Sequence, residues 1–491
     1  MLTSLKEEKR PSDLGRAHRL LLLVLVSMGS STIYAPAYLK GVFYEPLMGA
    51  LGVTNAQLGA LLSAYAITAT ICYLPSGIVA DKVRVRTLAW VGFGSTAILT
   101  YLYALLPSFG TLMLIFVGMG FTTILIWWGI RFKLVRLISG EKEYAKNIGL
   151  SYGIYGAAGL IIGLINTAII SALANNIDMA VRTLLIFLGS MIMLLAIMSF
   201  IFIPRFEGEI SSGEKNAFDF RSVGIALKSP VVWLAALCMF FVYFYYTGVT
   251  YTTPYLQNAV GASLGVVSIV SVVRTYGITL LSGPIFGWLA DKANSPSKII
   301  VAGSLASALG ILALVILPAN TGMAVVAAIV IILLGFIANG TFGIVSGQLT
   351  EGRVPLTIFG TATGILSVVG FLPDTFSSTW FGAIMDAKGN DAFVDIFWIN
   401  IGAAVLAMAS AIALMFYVQR NRDRLERTAA EAAAAAGLEL RPDGTTAAPT
   451  DADLVPTVPT DAQPQTPTPA PAVDALSDGD DLLTRNQEQQ W

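Results

Sequence analysis

Apolar residues run along this chain in long blocks, broken at short polar intervals, from about residue 18 to residue 418. A helix that crosses a bilayer needs ~20 mostly apolar residues, whereas a soluble helix shows only an apolar stripe. Twelve blocks of that length follow one another, over approximately 18–40, 51–80, 86–106, 110–135, 146–174, 181–203, 229–256, 262–290, 298–318, 322–349, 356–384 and 392–418. The longest internal polar break, "PRFEGEISSGEKNAFDFRS" (Pro204–Ser222), follows the sixth block and divides the set six and six. The pattern predicts an all-α membrane protein of twelve transmembrane helices in two six-helix bundles. The expected organisation is an N-terminal segment 1–17, a bundle 18–203, a connecting loop 204–228, a bundle 229–418 and a tail 419–491. In the tail, "RNRDRLERTAAEAAAAAGLEL" reads as a short helix, and 441–491, rich in Pro, Thr, Ala and Asp, lacks the apolar residues for a core and is expected to be disordered.

Composition sharpens this. Of 491 residues 55% are hydrophobic and 12% charged, about half the charged fraction of a soluble domain. A net charge of −1 gives no nucleic-acid footprint. Cys72 and Cys238 lie inside apolar blocks and read as small packing residues. The single histidine, His18, cannot build a histidine metal site, so neither a metal nor another cofactor is expected. The first block could be a signal peptide, but its apolar run continues through "TIYAPAYL", too long for a cleaved leader, and it has a counterpart later in the chain.

Lys and Arg fix the expected orientation. With the N-terminus inside, one side collects Lys6, Lys9, Arg10, Arg16, Arg19, Lys82, Arg84, Arg86, Arg136, Lys142, Lys146, Lys292, Lys298, Arg353, Arg420, Arg422, Arg424 and Arg427. The other side holds little beyond Lys40, Arg182 and Lys388. Both termini are therefore expected in the cytoplasm, with the chain in the cell membrane.

The two halves echo each other. "SGIVADK" (Ser76–Lys82) closes the second block and "FGWLADK" (Phe286–Lys292) the eighth, 210 positions later. "PAYLKGV" (Pro36–Val42) and "TPYLQNA" (Thr253–Ala259) end the first and seventh. Six plus six spans, a central loop and this repeated Gly-x-x-x-Asp-Lys resemble the major facilitator superfamily, over about Arg19–Arg420. Gly77, Asp81, Lys82 and Arg86 fit that family's loop pattern, with Arg84 where glycine is expected and Val85 where a base is; Gly287, Asp291 and Lys292 fit in the second copy. The arginine pattern of the family's fourth span has no clear match in "FVGMGFTT". The resemblance implies a gate on the cytoplasmic side, closed by these residues in the outward-facing state. Glycine lets helices approach closely, and aspartate suits a helix N-terminus. A plain polar turn is the alternative.

An ionisable residue deep in a span is costly and marks a candidate site. The eighth block contains Arg274 near its middle, and the eleventh Asp374 in "GFLPDTF", where a proline predicts a broken helix of the kind that lines transporter cavities. Three readings stay open. Arg274 faces a cavity and binds a carboxylate through its planar fork, with Asp374 tuning it or carrying a proton; or the two form a structural pair; or one meets water incidentally. The first resembles the oxalate/formate antiporter branch, in which arginine on span eight and lysine on span eleven hold the dicarboxylate. An acid at the second position favours a monoanion with a proton, or a polyhydroxy acid. Trp128, Tyr34 and Tyr246 are further candidates for the cavity wall, and Arg131 and Lys133 read as interfacial anchors.

The expected function is alternating-access transport of a small polar, anionic solute by one chain in the bilayer, coupled to protons or to a counter-transported anion. No phosphate loop for ATP appears. An exporter of drugs or apolar metabolites is the alternative. A non-transporting receptor or a membrane enzyme fits less well, since no histidine cluster or paired acids offer catalysis.

Overall fold

In the computed structural model the described residues are 8–10, 13–139, 144–207, 209–210, 220–435, 439–440 and 446–447. The expectations for 1–7 and for most of 441–491 lie outside them. Among the described residues, nine helical stretches are long and apolar enough to cross a membrane, ten with the pair Leu264–Gly277 and Thr279–Lys292, which meet at 42°. One of the nine, Ile358–Arg420, has 63 residues. A straight helix of that length would run about 95 Å, some three hydrocarbon thicknesses. It turns back at Gly389, whose φ of 58° suits glycine, and so holds two crossings. Val85–Ala104, a 20-residue helix outside that set, lies where the third of the twelve expected spans falls.

These spans are, in order, one (Arg16–Gly41), two (Asn55–Lys82), three (Val85–Ala104), four (Phe109–Ile138), five (Tyr144–Ala172) and six (Ile177–Phe202). The second set is seven (Pro230–Ala259), eight (264–292), nine (Pro296–Ile316), ten (Thr321–Ile344), eleven (356–388) and twelve (Ala392–Arg420). Their packing repeats at an offset of six. Span three lies on six as nine lies on twelve, two on four as eight on ten, and one on five as seven on eleven. Between the halves, two packs on eleven and five on eight, again equivalent pairs. The repeat first visible in two loop words thus extends to the neighbours of whole helices.

Local sequence explains the interruptions. Thr54 and Gln57 form a capping box that starts span two. Pro75 and Pro284 lie inside spans two and eight shortly before each loop word. Wider, π-type turns occupy Phe121–Trp128, Tyr255–Ala259 and Val273–Gly277, a local geometry often found at functional sites. The stretch 204–228 is not wholly loop. Arg205–Phe206 pairs in parallel with Glu8–Lys9, and Phe220–Leu227 is helical, because "FRSVGIAL" carries apolar residues at helical spacing that the run of charges before it hides. The basic stretch after span twelve folds as a helix, Arg422–Ala435.

Candidate substrate site and gate

Span eleven breaks where the sequence places its proline. Leu372–Thr375 forms a single tight turn between Leu356–Gly370 and Ser377–Lys388, since Pro373 has no N–H to continue the ladder. The turn carries Asp374, 4% exposed. One carboxylate oxygen, Oδ2, accepts from the hydroxyls of Tyr243 on span seven at 2.7 Å and Tyr38 on span one at 3.3 Å. The other, Oδ1, is buried without a hydrogen-bond partner. One acid therefore joins both halves through two tyrosines.

An aromatic belt runs beside it and crosses between the halves. Trp128 meets Tyr73 edge-on at 5.2 Å, Tyr73 stacks on Phe371 at 5.5 Å, and Phe371 meets Tyr243 at 4.8 Å. Phe342 then links Tyr243 to Tyr246, on which it stacks at 5.0 Å. Trp128, Tyr246 and Asp374 are thus brought together. Tyr34 reaches the same region indirectly: its hydroxyl donates to the Thr123 carbonyl at 3.5 Å, and the Thr123 hydroxyl bonds Tyr65, which packs edge-on against Tyr38. Lower on the same wall, the Arg131 guanidinium lies over the rings of Tyr152 and Tyr155, at 4.2 and 5.3 Å.

Arg274 stands apart from this group. It sits in the wide turn of span eight, 4% exposed. Nη1 donates to the Val249 and Thr250 carbonyls and the Thr252 and Thr253 hydroxyls, and Nη2 to the Gly41 carbonyl at 2.6 Å and the Thr275 hydroxyl. The expectation of a structural pair with Asp374 is not met: each has its own partners, because the guanidinium points to the end of span one and the carboxylate to the tyrosines. Nor does Arg274 face open space in this state.

Lys40 is the residue that sequence reasoning missed. It counted only as one of a few bases on the sparse side, yet it is 6% exposed. Its Nζ donates to the Ser378 hydroxyl at 2.9 Å and the Tyr251 hydroxyl at 3.2 Å, lies 5.0 Å from the Tyr251 ring centroid and feels the charge of Asp374. The available signal was a lysine inside the apolar run "YAPAYLKGVF".

These contacts belong to a seal at the end opposite the loop words. Asp386 of span eleven accepts from the backbone N–H groups of Asn55 and Ala56, at 2.9 and 2.8 Å, and from the Asn55 amide, so it caps span two from the other half. Ser63 bonds Thr379 at 2.8 Å, Tyr251 donates to the Ser378 carbonyl, Thr253 to the Gly41 carbonyl and Asn258 to Glu45. Backbones touch: a Cβ on Gly59 would stand 2.1 Å from the Ser378 carbonyl oxygen, and one on Gly382 would stand 2.3 Å from that of Asn55.

The sequence matches the family described as Major Facilitator Superfamily over residues 20–378. The chain belongs to the major facilitator superfamily. It is a membrane transporter and not an enzyme. The inner membrane protein YqcE of Escherichia coli (strain K12) is 27% identical over 403 residues, 81% of this chain and 95% of that protein. A bacterial homologue of the human lysosomal transporter Spinster, solved inward-facing and unoccupied, superposes with a TM-score of 0.63 at 18% identity, over 84% of this chain and 99% of that one. The nucleoside transporter NupG superposes with a TM-score of 0.64 at 12% identity, over 80% and 99%. At such identities the two structures speak for the fold alone.

In this transporter the loop-word residues lie at the end away from the seal. Gly77 and Gly287 were expected to let helices touch, but a Cβ on either would meet nothing within 4 Å. The close approach is made by Gly129 of span four, whose Cβ would stand 2.7 Å from that of Ala80. Lys133 of span four donates to the Ala80 carbonyl and lies within electrostatic range of Asp81. Arg86 is buried with its guanidinium 4.7 Å from the Phe200 ring centroid. Lys82 and Asp291 are exposed, and the exposed Lys292 has its Nζ 5.0 Å from the Trp288 ring centroid.

Proposed function

We propose that this transporter moves a small polar organic anion, such as a carboxylate or sugar acid, by alternating access coupled to a proton or to exchange. The observation that carries the reading is Asp374, a buried acid at a broken helix, tied by hydroxyls to both halves and with one oxygen unpartnered. A carboxylate in that place is suited to take up and release a proton as the halves part, and breaks of this kind mark transporter sites. Charge supports the anion: Lys40 and Arg274 are buried and Arg131 is half-buried, against the buried Asp374, and low-dielectric walls focus such a field. We place the loop words in the cytoplasm, following their Lys and Arg, so the sealed end is outer and the state is inward-facing. Asp81, Lys82, Arg86, Asp291 and Lys292, with Gly77 and Gly287, act as the inner gate when the halves rock the other way.

The aromatic belt favours a second reading, a flat apolar or nucleoside-like cargo. A flux screen in proteoliposomes, with monocarboxylates, dicarboxylates, sugar acids, neutral sugars and nucleosides, with and without a pH gradient, separates the two. Movement confined to neutral or flat apolar solutes overturns the anion reading. Arg274→Ala is expected to lower initial anion uptake by roughly ten- to a hundredfold while protein remains in the membrane, since a charge-assisted bond to the cargo of ~1.5–3 kcal/mol is lost. Arg274→Lys falls between, because one ammonium cannot span the Gly41 carbonyl and the span-seven acceptors together. Unchanged uptake in Arg274→Ala sinks a role for this side chain.

A further inference from the structure

Lys40 and Arg274 are buried at the sealed end, and the hydrogen-bond acceptors given for both are neutral. Burying a cation is costly, and neutral acceptors offset that cost less fully than an accompanying anion does. Yet the acceptors of Lys40 are two hydroxyls, and the six acceptors of Arg274 are carbonyls and hydroxyls. The field of Asp374 reaches Lys40, but the carboxylate itself bonds the two tyrosines. If the seal alone were at stake, a neutral amide would satisfy Ser378 and Tyr251 as well as an ammonium does.

The tethers also share a direction. Lys40 sits on the first half and holds the second; Arg274 sits on the second half and holds Gly41, the next residue along span one. Parting the halves at this end, which alternating access requires, breaks Lys40–Ser378, Lys40–Tyr251 and Arg274–Gly41 together. Both cations then border the widening outer cleft, one from each wall.

Building on the anion reading above, we infer that Lys40 and Arg274 form an outer receptor for the oxyanion group of the cargo, a carboxylate or a phosphate, that exists only while the outer end is open. The Gly41 carbonyl and the Ser378 and Tyr251 hydroxyls hold the cations' places when the end is sealed. Arg274 supplies a planar fork for two oxygens, and Lys40 a compact charge from the facing wall. Closing returns both cations to their neutral acceptors, so the affinity gained outside is withdrawn as the solute passes inward toward Asp374 and the aromatic belt. Affinity at the two faces is therefore unequal, and Lys40 sets the difference.

The test is sided. Full-length protein is reconstituted and sorted into right-side-out and inside-out vesicles, and counterflow is followed with gluconate, glycerate, inorganic phosphate and glucose. The acid arms and the phosphate arm identify which oxyanion is taken. For the anion that wild type carries, Lys40→Gln raises KM at the outer face by roughly tenfold or more, the loss of one charge-assisted bond, and leaves KM at the inner face unchanged. Lys40→Arg, which keeps the charge, stays near wild type. Gln keeps an N–H donor for the seal but not the charge, so a purely structural role does not single out the outer face in that variant. Equal shifts at both faces, or none, overturn the receptor and leave the anion reading standing. Wild type that carries glucose and none of the anions overturns the anion reading itself.

Discussion

Asp374→Asn transports by exchange but no longer accumulates solute against a pH gradient. Asparagine keeps the size of the group and an oxygen for the Tyr38 and Tyr243 hydroxyls, so the junction of spans one, seven and eleven survives. What it loses is the ability to bind and release a proton. With one proton per cycle, wild type gains about tenfold accumulation per pH unit, the equivalent of ~1.4 kcal/mol. The variant should show an accumulation ratio near unity at every pH gradient, while counterflow at equal pH on both sides continues. Uptake against internal and external pH in proteoliposomes measures this directly. A variant whose accumulation still follows the gradient would show that the proton travels by another group.

The second large effect concerns the seal. Gly59→Ala puts a methyl carbon where the Ser378 carbonyl oxygen stands 2.1 Å away, and Gly382→Ala does the same against Asn55 at 2.3 Å. Each neighbour is backbone and cannot swing aside as a flexible side chain could. Relief requires spans two and eleven to separate, which is the opening motion itself. Overpacking of this kind costs ~1–3 kcal/mol, enough to move a conformational equilibrium by roughly ten- to a hundredfold. A reporter lies nearby: Ser63 and Thr379 touch across the halves at 2.8 Å. Cysteines at both, in a background without Cys72 and Cys238, should cross-link readily, and Gly59→Ala should slow that cross-linking by about tenfold or more. Gly402→Ala, with open space around it, serves as the control. Equal cross-linking in all three would mean that the seal does not depend on this contact.

Sequence and structure agree where one-dimensional physics governs. Bilayer thickness fixes block length, so the spans are legible from hydropathy, and the break at "GFLPDTF" is legible because proline removes a donor wherever it stands. Asp374 is legible because a lone acid in a long apolar block has no cheap explanation. Other features depend on partners that no local window contains. Lys40 meets Ser378 and Tyr251 across 338 and 211 positions, so from sequence it is only one of the few bases on the sparse side. Arg274 reads from sequence as a ligand for the cavity, but its tether to the Gly41 carbonyl, 233 positions away, is not legible there. The glycines of the loop words were read as packing positions because the words repeat. The close contact falls on Gly129, which no repeat marks.

The cap that Asp386 lends to Asn55 and Ala56 has an energetic corollary. The two N–H groups it satisfies are among the four that any helix start leaves without internal partners. When the halves part, water takes the place of the carboxylate at those groups and hydrates the carboxylate in turn. At this cap, opening exchanges one set of hydrogen bonds for another, and the difference is only the ~0.5–2 kcal/mol that a helix cap is worth. A carrier that must visit both faces many times needs a door with that property: closed by specific contacts, yet with neither position deep enough to trap it.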